Sequence, residues 1–156
     1  GGKTMEVRER IATALKDAMR SKDQERLSTL RLINAAIKDR EIAMRGAGDG
    51  ASVGDAEVLA IMGKMVKQRQ ESARAYAEGG RLELAEKELR EVSVIEEFLP
   101  RQLSGDEVEA AVSAVIAKVG ASSIRDMGRV MAELKGKYTG QMDFGAVGPM
   151  VKDKLG

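Results

Sequence analysis

One stretch limits what this chain can fold into: Phe98-Leu99-Pro100-Arg101-Gln102-Leu103-Ser104. Pro100 has no backbone N–H and disfavours the α region for Leu99, so a helix must stop there. Leu99 and Leu103 flank the break and are both apolar, which predicts an anchored elbow and not a loose linker. Ser104-Gly105-Asp106-Glu107 then has the form of a capping box. The Ser104 hydroxyl can accept from the Glu107 N–H, and the Glu107 carboxylate can accept from the Ser104 N–H.

On each side of the elbow the apolar residues recur every three or four positions, the period of a helix. Val7, Ile11, Ala14, Leu15, Ala18 and Met19 predict a first helix over Met5 to Ser21. A restart at Ser21-Lys22-Asp23-Gln24, read as an S-x-x-Q cap, leads into Leu27, Leu30, Ile33, Ile37 and Ile42, to about Met44. Gly46 to Gly54 is glycine-rich and is expected to be a mobile connector. Val58, Ile61, Met62, Met65, Val66, Ala73 and Tyr76 mark a third helix, ended by Gly79-Gly80. Leu82, Ala85, Leu89, Val92, Ile95 and Phe98 mark a fourth. Lys64, Lys67, Arg69 and Arg74 on the third and the glutamates of the fourth predict charge pairing along that hairpin.

Beyond the elbow, Val108, Val112, Val115, Ile116 and Val119 form a fifth stripe, ended by Gly120. Ile124, Met127, Val130, Met131 and Leu134 form a sixth, introduced by Ser122-Ser123 in the role of an N-cap. Lys135 to Gly140 reads as a turn. Asp143 caps a last helix through Phe144, Val147, Val151 and Leu155, which Pro149 is expected to bend or to delay. The expected fold is therefore all-α. A helical hairpin or bundle domain over 5–99 precedes a small three-helix domain over 100–156. Residues 1–4, ahead of Met5, read as an expression scar. Gly-Lys-Thr there lacks the upstream strand and glycine of a phosphate loop.

Composition narrows the chemistry. With no cysteine and no histidine, the chain lacks a thiolate ligand or nucleophile and the usual neutral-pH base. The expected catalytic, metal and cofactor set is none. Asp126 and Asp143 read as helix-start acids, and the glutamates of the fourth helix as a solvated face. The formal net charge of +1 excludes a polybasic coat but leaves local patches open. No apolar run is long enough to span a membrane and no secretory leader is evident, so a cytoplasmic protein is the expectation.

Three segments carry a resemblance: Phe98 to Ser104, Gly120 to Met131, and Gly140-Gln141-Met142-Asp143-Phe144. Arg26-Leu27-Ser28-Thr29-Leu30-Arg31 and Lys67-Gln68-Arg69 fit as well. Together they resemble the GatB/YqeY family across nearly all of Met5 to Leu155. The resemblance implies a helical N-terminal domain followed by a small helical domain. It also implies kinship with the tail of the B subunit of the glutamine-dependent amidotransferase acting on Glu-tRNA(Gln) or Asp-tRNA(Asn), a carbon–nitrogen ligase. The tail is tied to tRNA engagement there. The parts that activate ATP and hydrolyse glutamine are missing here, so no amidation by the isolated chain is expected. Many relatives have Gly-Arg-Ala-Asp where this chain has Gly140-Gln141-Met142-Asp143, which removes one cation.

Arg125, Arg129, Lys135, Lys137, Lys152 and Lys154 cluster in sequence and are the candidate phosphate contacts. Arg125 and Arg129, spaced i,i+4, are expected on one helix face, and Tyr138 can stack on an unpaired base. The expected function is a noncatalytic, tRNA-interacting accessory module, with tRNA or components of translation or aminoacylation as partners. A protein-interaction adaptor without RNA contact is the alternative.

Overall fold

The computed structural model describes residues 6–48 and 53–156. The proposed scar at 1–4, the predicted first helical residue Met5 and the centre of the glycine-rich connector lie outside them. The described residues form seven α-helices, one 3₁₀ turn and no strand, so the chain is all-α. The helices are α1 (Glu6–Ser21), α2 (Gln24–Gly46), α3 (Asp55–Glu78) and α4 (Leu82–Glu96), then α5 (Gly105–Val119), α6 (Met127–Lys137) and α7 (Phe144–Leu155). The 3₁₀ turn is Ile124–Asp126. The chain divides into two compact units between Leu99 and Pro100.

In the first unit, α1 to α4 enclose a core that includes Ile11, Leu30, Ile33, Met62 and Ile95, all fully buried. Each such side chain contributes about 1.5–3 kcal/mol of transfer free energy. Phe98 seals this core just before the break. Val53 is also fully buried, and its carbonyl accepts from the Arg8 guanidinium at 3.3 Å. The same guanidinium meets Glu41 at 3.0 Å, so one arginine on α1 holds the end of α2 and the approach to α3.

Periodicity misplaced some side chains. Met19, Ile42, Leu82 and Leu89 were expected in the core and are exposed, as is Ile124 in the second unit. On α4 the buried positions are Ala85, Val92 and Ile95, and the leucines at 82 and 89 fall to one side of that face. The cap of α2 is Asp23, whose carboxylate accepts from the Arg26 N–H at 3.2 Å. Ser21 is not the cap, because its hydroxyl turns back to the Ala18 carbonyl. Charge pairing between α3 and α4 includes Arg69–Glu91 at 3.1 Å. Other α4 charges pair instead with α2, through Arg90–Glu25 and through Glu97–Arg26 just past its end.

The second unit is built by α5, α6 and α7 around Val112, Val115, Val130, Leu134, Val147 and Val151. Ser104 and Glu107 make the reciprocal capping box, at 3.2 and 2.9 Å. Asp143 accepts from the Gly145 N–H at 3.0 Å and opens α7. Pro149 lies inside α7 without ending it or delaying its start. The helix begins only five residues earlier. The Gly145 carbonyl that Pro149 leaves without a helical donor belongs to an exposed residue, where water can serve it.

Candidate nucleic-acid surface

Two of the segments that carried the resemblance, the elbow and the turn at Gly140-Gln141, meet in space, and their polar groups sew the turns together. The Gln102 amide donates to the Gly140 carbonyl, and the Leu103 N–H donates to the Gln141 carbonyl at 2.9 Å. The Gln141 side chain returns to the Arg101 carbonyl at 3.0 Å. Gly140 turns the chain at φ +77°, a left-handed conformation that glycine adopts without penalty. The elbow and the turn before α7 are thus clamped by three cross-links. Gln141 is a structural donor, which gives that position a use without a cation.

A second clamp closes the turn between α5 and α6. Gly120 caps α5 in the left-handed region, at φ +67°. The Asp126 carboxylate accepts from the N–H groups of Ser122 and Ser123 at 2.9 and 3.2 Å. The Arg129 guanidinium binds both Asp126, at 3.0 Å, and the Val119 carbonyl, at 3.1 Å. The Ser122 N–H, the Arg129 guanidinium and the Ser123 N–H together hold the Asp126 carboxyl down at about 2. Glu107 is held at about 2 by the Arg101 guanidinium and the Ser104 backbone.

The seven candidate residues therefore separate into different situations. Arg129 is occupied by its turn. Lys154 reaches Glu109 of α5 at 3.4 Å. Arg125, Lys135 and Lys152 are exposed, with no hydrogen bond or ion pair of their own. Lys137 lies over the Tyr138 ring, 5.6 Å from its centroid. That ring is half-buried against the second core. The i,i+4 spacing of Arg125 and Arg129 is not carried by a single α-helix. Arg125 belongs to the 3₁₀ turn, and α6 starts only at Met127.

A helix advances about 100° per residue, so positions two apart face nearly opposite ways. Lys135 and Lys137 are two apart on α6, as Lys152 and Lys154 are on α7, so each pair is divided between flanks. Lys137 shares its face with Arg129 and Glu133. An open depression there is lined by Lys118, Ala132, Glu133, Gly136 and Lys137. Lys118, which sequence reasoning passed over, pairs with Glu133 and pulls its carboxyl below the usual range, with a smaller push from Lys137. Among the described residues no group of three or more acidic side chains is placed to hold a metal, and no helix is long and apolar enough to cross a membrane.

Comparison with known proteins identifies the relatives. Residues 8–155 match the family described as Yqey-like protein. A protein of Clavispora lusitaniae named altered inheritance of mitochondria protein 41, mitochondrial, is 38 % identical over 85 residues, covering 54 % of this chain and 46 % of the relative. Its namesake in Meyerozyma guilliermondii is 30 % identical over 143 residues, covering 88 % of this chain and 71 % of the relative. The Saccharomyces cerevisiae namesake is 26 % identical over 129 residues, covering 79 % and 67 %. The chain thus spans less than half the length of the Clavispora relative.

These names correct the expectation of a cytoplasmic protein, since the curated relatives are called mitochondrial. The features behind that expectation were the lack of an apolar span and of a secretory leader, and neither distinguishes one aqueous compartment from another. The motif resemblance and the family match agree over nearly the whole sequence: the chain belongs to the Yqey-like protein family.

Proposed function

We propose that this chain is a noncatalytic accessory module whose C-terminal unit contacts the phosphate backbone of an RNA. The family resemblance makes tRNA the class to test first. The observation that carries this reading is the Lys137 ammonium over the half-buried Tyr138 ring, with the unpaired Lys135 on the other flank of the same helix end. A cation and an aromatic face held together offer a phosphate contact and a stacking platform at one helix end. Arg125 and Lys152 add positive charge without a carboxylate on them. Arg129 and Lys154 are excluded from the contact set, because their guanidinium and ammonium groups hold the fold. No bond-making step is assigned to the chain, whose sequence has neither histidine nor cysteine.

The test is electrophoretic mobility shift of unmodified tRNA at low salt. The wild-type chain should bind, and Lys135→Glu with Lys137→Glu should weaken binding at least about tenfold while helical content is kept. No shift beyond that of a neutral control protein would end the reading. The adaptor reading is favoured by a separate observation, the exposed Leu82 and Leu89 on α4. It predicts partner capture that survives RNase treatment, and partners released by RNase count against it.

A further inference from the structure

Two faces of the first unit carry apolar side chains that the bundle leaves uncovered. On the outer side of α2, Leu32 is 42 % and Ile42 is 53 % exposed. Arg31, Lys38 and Arg45 recur every seven residues and so form one stripe, which Ile42 borders and which lies about 100° around the helix from Leu32. All three are exposed, with no hydrogen bond or ion pair of their own. On α4, Leu82 is 61 % and Leu89 is 49 % exposed, again seven residues apart and on one face. Glu83 and Glu86 are exposed close to these leucines, without an ion-pair partner. Asp39, also exposed, stands seven residues after Leu32, so the α2 face is apolar and predominantly basic, and the other is apolar and acidic.

The half of the α3–α4 hairpin near its Gly79-Gly80 turn has little interior. After Val66 on α3 and before Val92 on α4, the buried side chains are Ala73 and Ala85, and neither joins the main core. Large exposed leucines on an arm with so small a core are expected where cover comes from outside. The two faces cannot cover each other within one chain. Glu25 pairs with Arg90, and Arg40, at the far end of α2, pairs with Glu57 at the start of α3. Helix α2 therefore runs away from the turn beside which Leu82 stands.

We propose that a second copy of this chain supplies the cover. The Leu82–Leu89 face of one copy seats on the Leu32–Ile42 face of the other, with Glu83 and Glu86 against the basic stripe. A helix from an unrelated protein would satisfy one face and leave the other bare. A second copy carries both, with opposite prevailing charge. Reciprocal seating uses each arm and each α2 once and closes a two-fold dimer.

Sedimentation velocity of the full chain over a concentration series tests this. The wild-type chain should form a dimer at micromolar concentrations. Leu82→Asp with Leu89→Asp should leave a monomer of unchanged helicity. Lys38→Glu with Arg45→Glu should weaken dimerisation about tenfold, and so should Glu83→Lys with Glu86→Lys. Mixing those two charge-reversed chains should restore the dimer, because each then offers what the other lacks. A wild-type chain that stays monomeric to about a millimolar overturns the proposal. So does a dimer indifferent to these variants, failure of the mixture to recover, or a monomer that instead binds a charged helical peptide on either face.

Discussion

The two units use charge differently. In the first, several ion pairs join residues far apart in sequence, beside the local pair Arg20–Asp17: Arg8 and Glu41 are 33 residues apart, Arg26 and Glu97 are 71, and Arg90 and Glu25 are 65. These distant pairs clasp one helix to another. In the second unit, Arg101–Glu107 spans 6 residues and Arg129–Asp126 spans 3, and both serve turns, while Lys118–Glu133 and Lys154–Glu109 span 15 and 45. Some basic side chains of the second unit are consumed by these pairs while others remain open. The lesson is that a cluster of basic residues in sequence is not a cluster of available charge. Availability is decided by which side chains the turns have already engaged.

The largest effects should come from damaging each core separately. Ile33→Ala should cost about 2–5 kcal/mol in the first unit, and Leu134→Ala a similar amount in the second. Calorimetry should show a different transition lowered by each, and one shared transition moved equally by both would mean that the two units unfold as one. Next in size is Arg69, whose side chain and that of Glu91 are only 16 % and 13 % exposed. Arg69→Ala leaves an enclosed carboxylate unpaired and should cost about 1–3 kcal/mol. Arg90→Ala, which breaks a pair about half exposed, should cost below about 1 kcal/mol in the same denaturant titration. Equal costs would erase the difference between enclosed and exposed clasps.

Turn clamps give smaller effects. Gln141→Ala removes one donor to the Arg101 carbonyl and should cost about 0.5–1.5 kcal/mol, read as a shift of the second unit's transition. The pH dependence follows from Asp126 and Glu107, both held at about 2 and so below their unfolded values of 3.8 and 4.5. A depressed carboxylate stabilises fully above its unfolded pKa and loses that contribution as pH falls through the folded one. The second unit should therefore weaken from about pH 4.5 down to about 2. Asp126→Asn should flatten that dependence, and a second unit equally stable across this window would contradict the assignment.

Local signals were legible in the sequence. The Ser104 capping box, the Asp143 cap and the break at Pro100 each depend on residues within a few positions of one another. Helix number and most core positions also followed, because periodicity reports on one helix face. The leucines at 82 and 89 were misread because Ala85 lies between them. A stripe containing all three is wider than the face α4 buries. The fate of the basic residues was illegible for a tertiary reason. Lys154 meets Glu109 across 45 positions, and Arg129 is held partly by a backbone carbonyl ten residues away, which no side-chain pattern reports. Gln102 and Gln141 stood out as motif residues, yet their use as clamps requires two turns to meet.

The account stands on the division between occupied and open cations, and the salt dependence of tRNA binding measures it directly. Lys135→Ala with Lys137→Ala should reduce the steepness of log affinity against log salt by about 1.4 to 1.8, as two lost phosphate contacts require. Lys154→Ala should leave that slope unchanged. A slope that ignores Lys135 and Lys137, or falls as much with Lys154→Ala, would contradict the division.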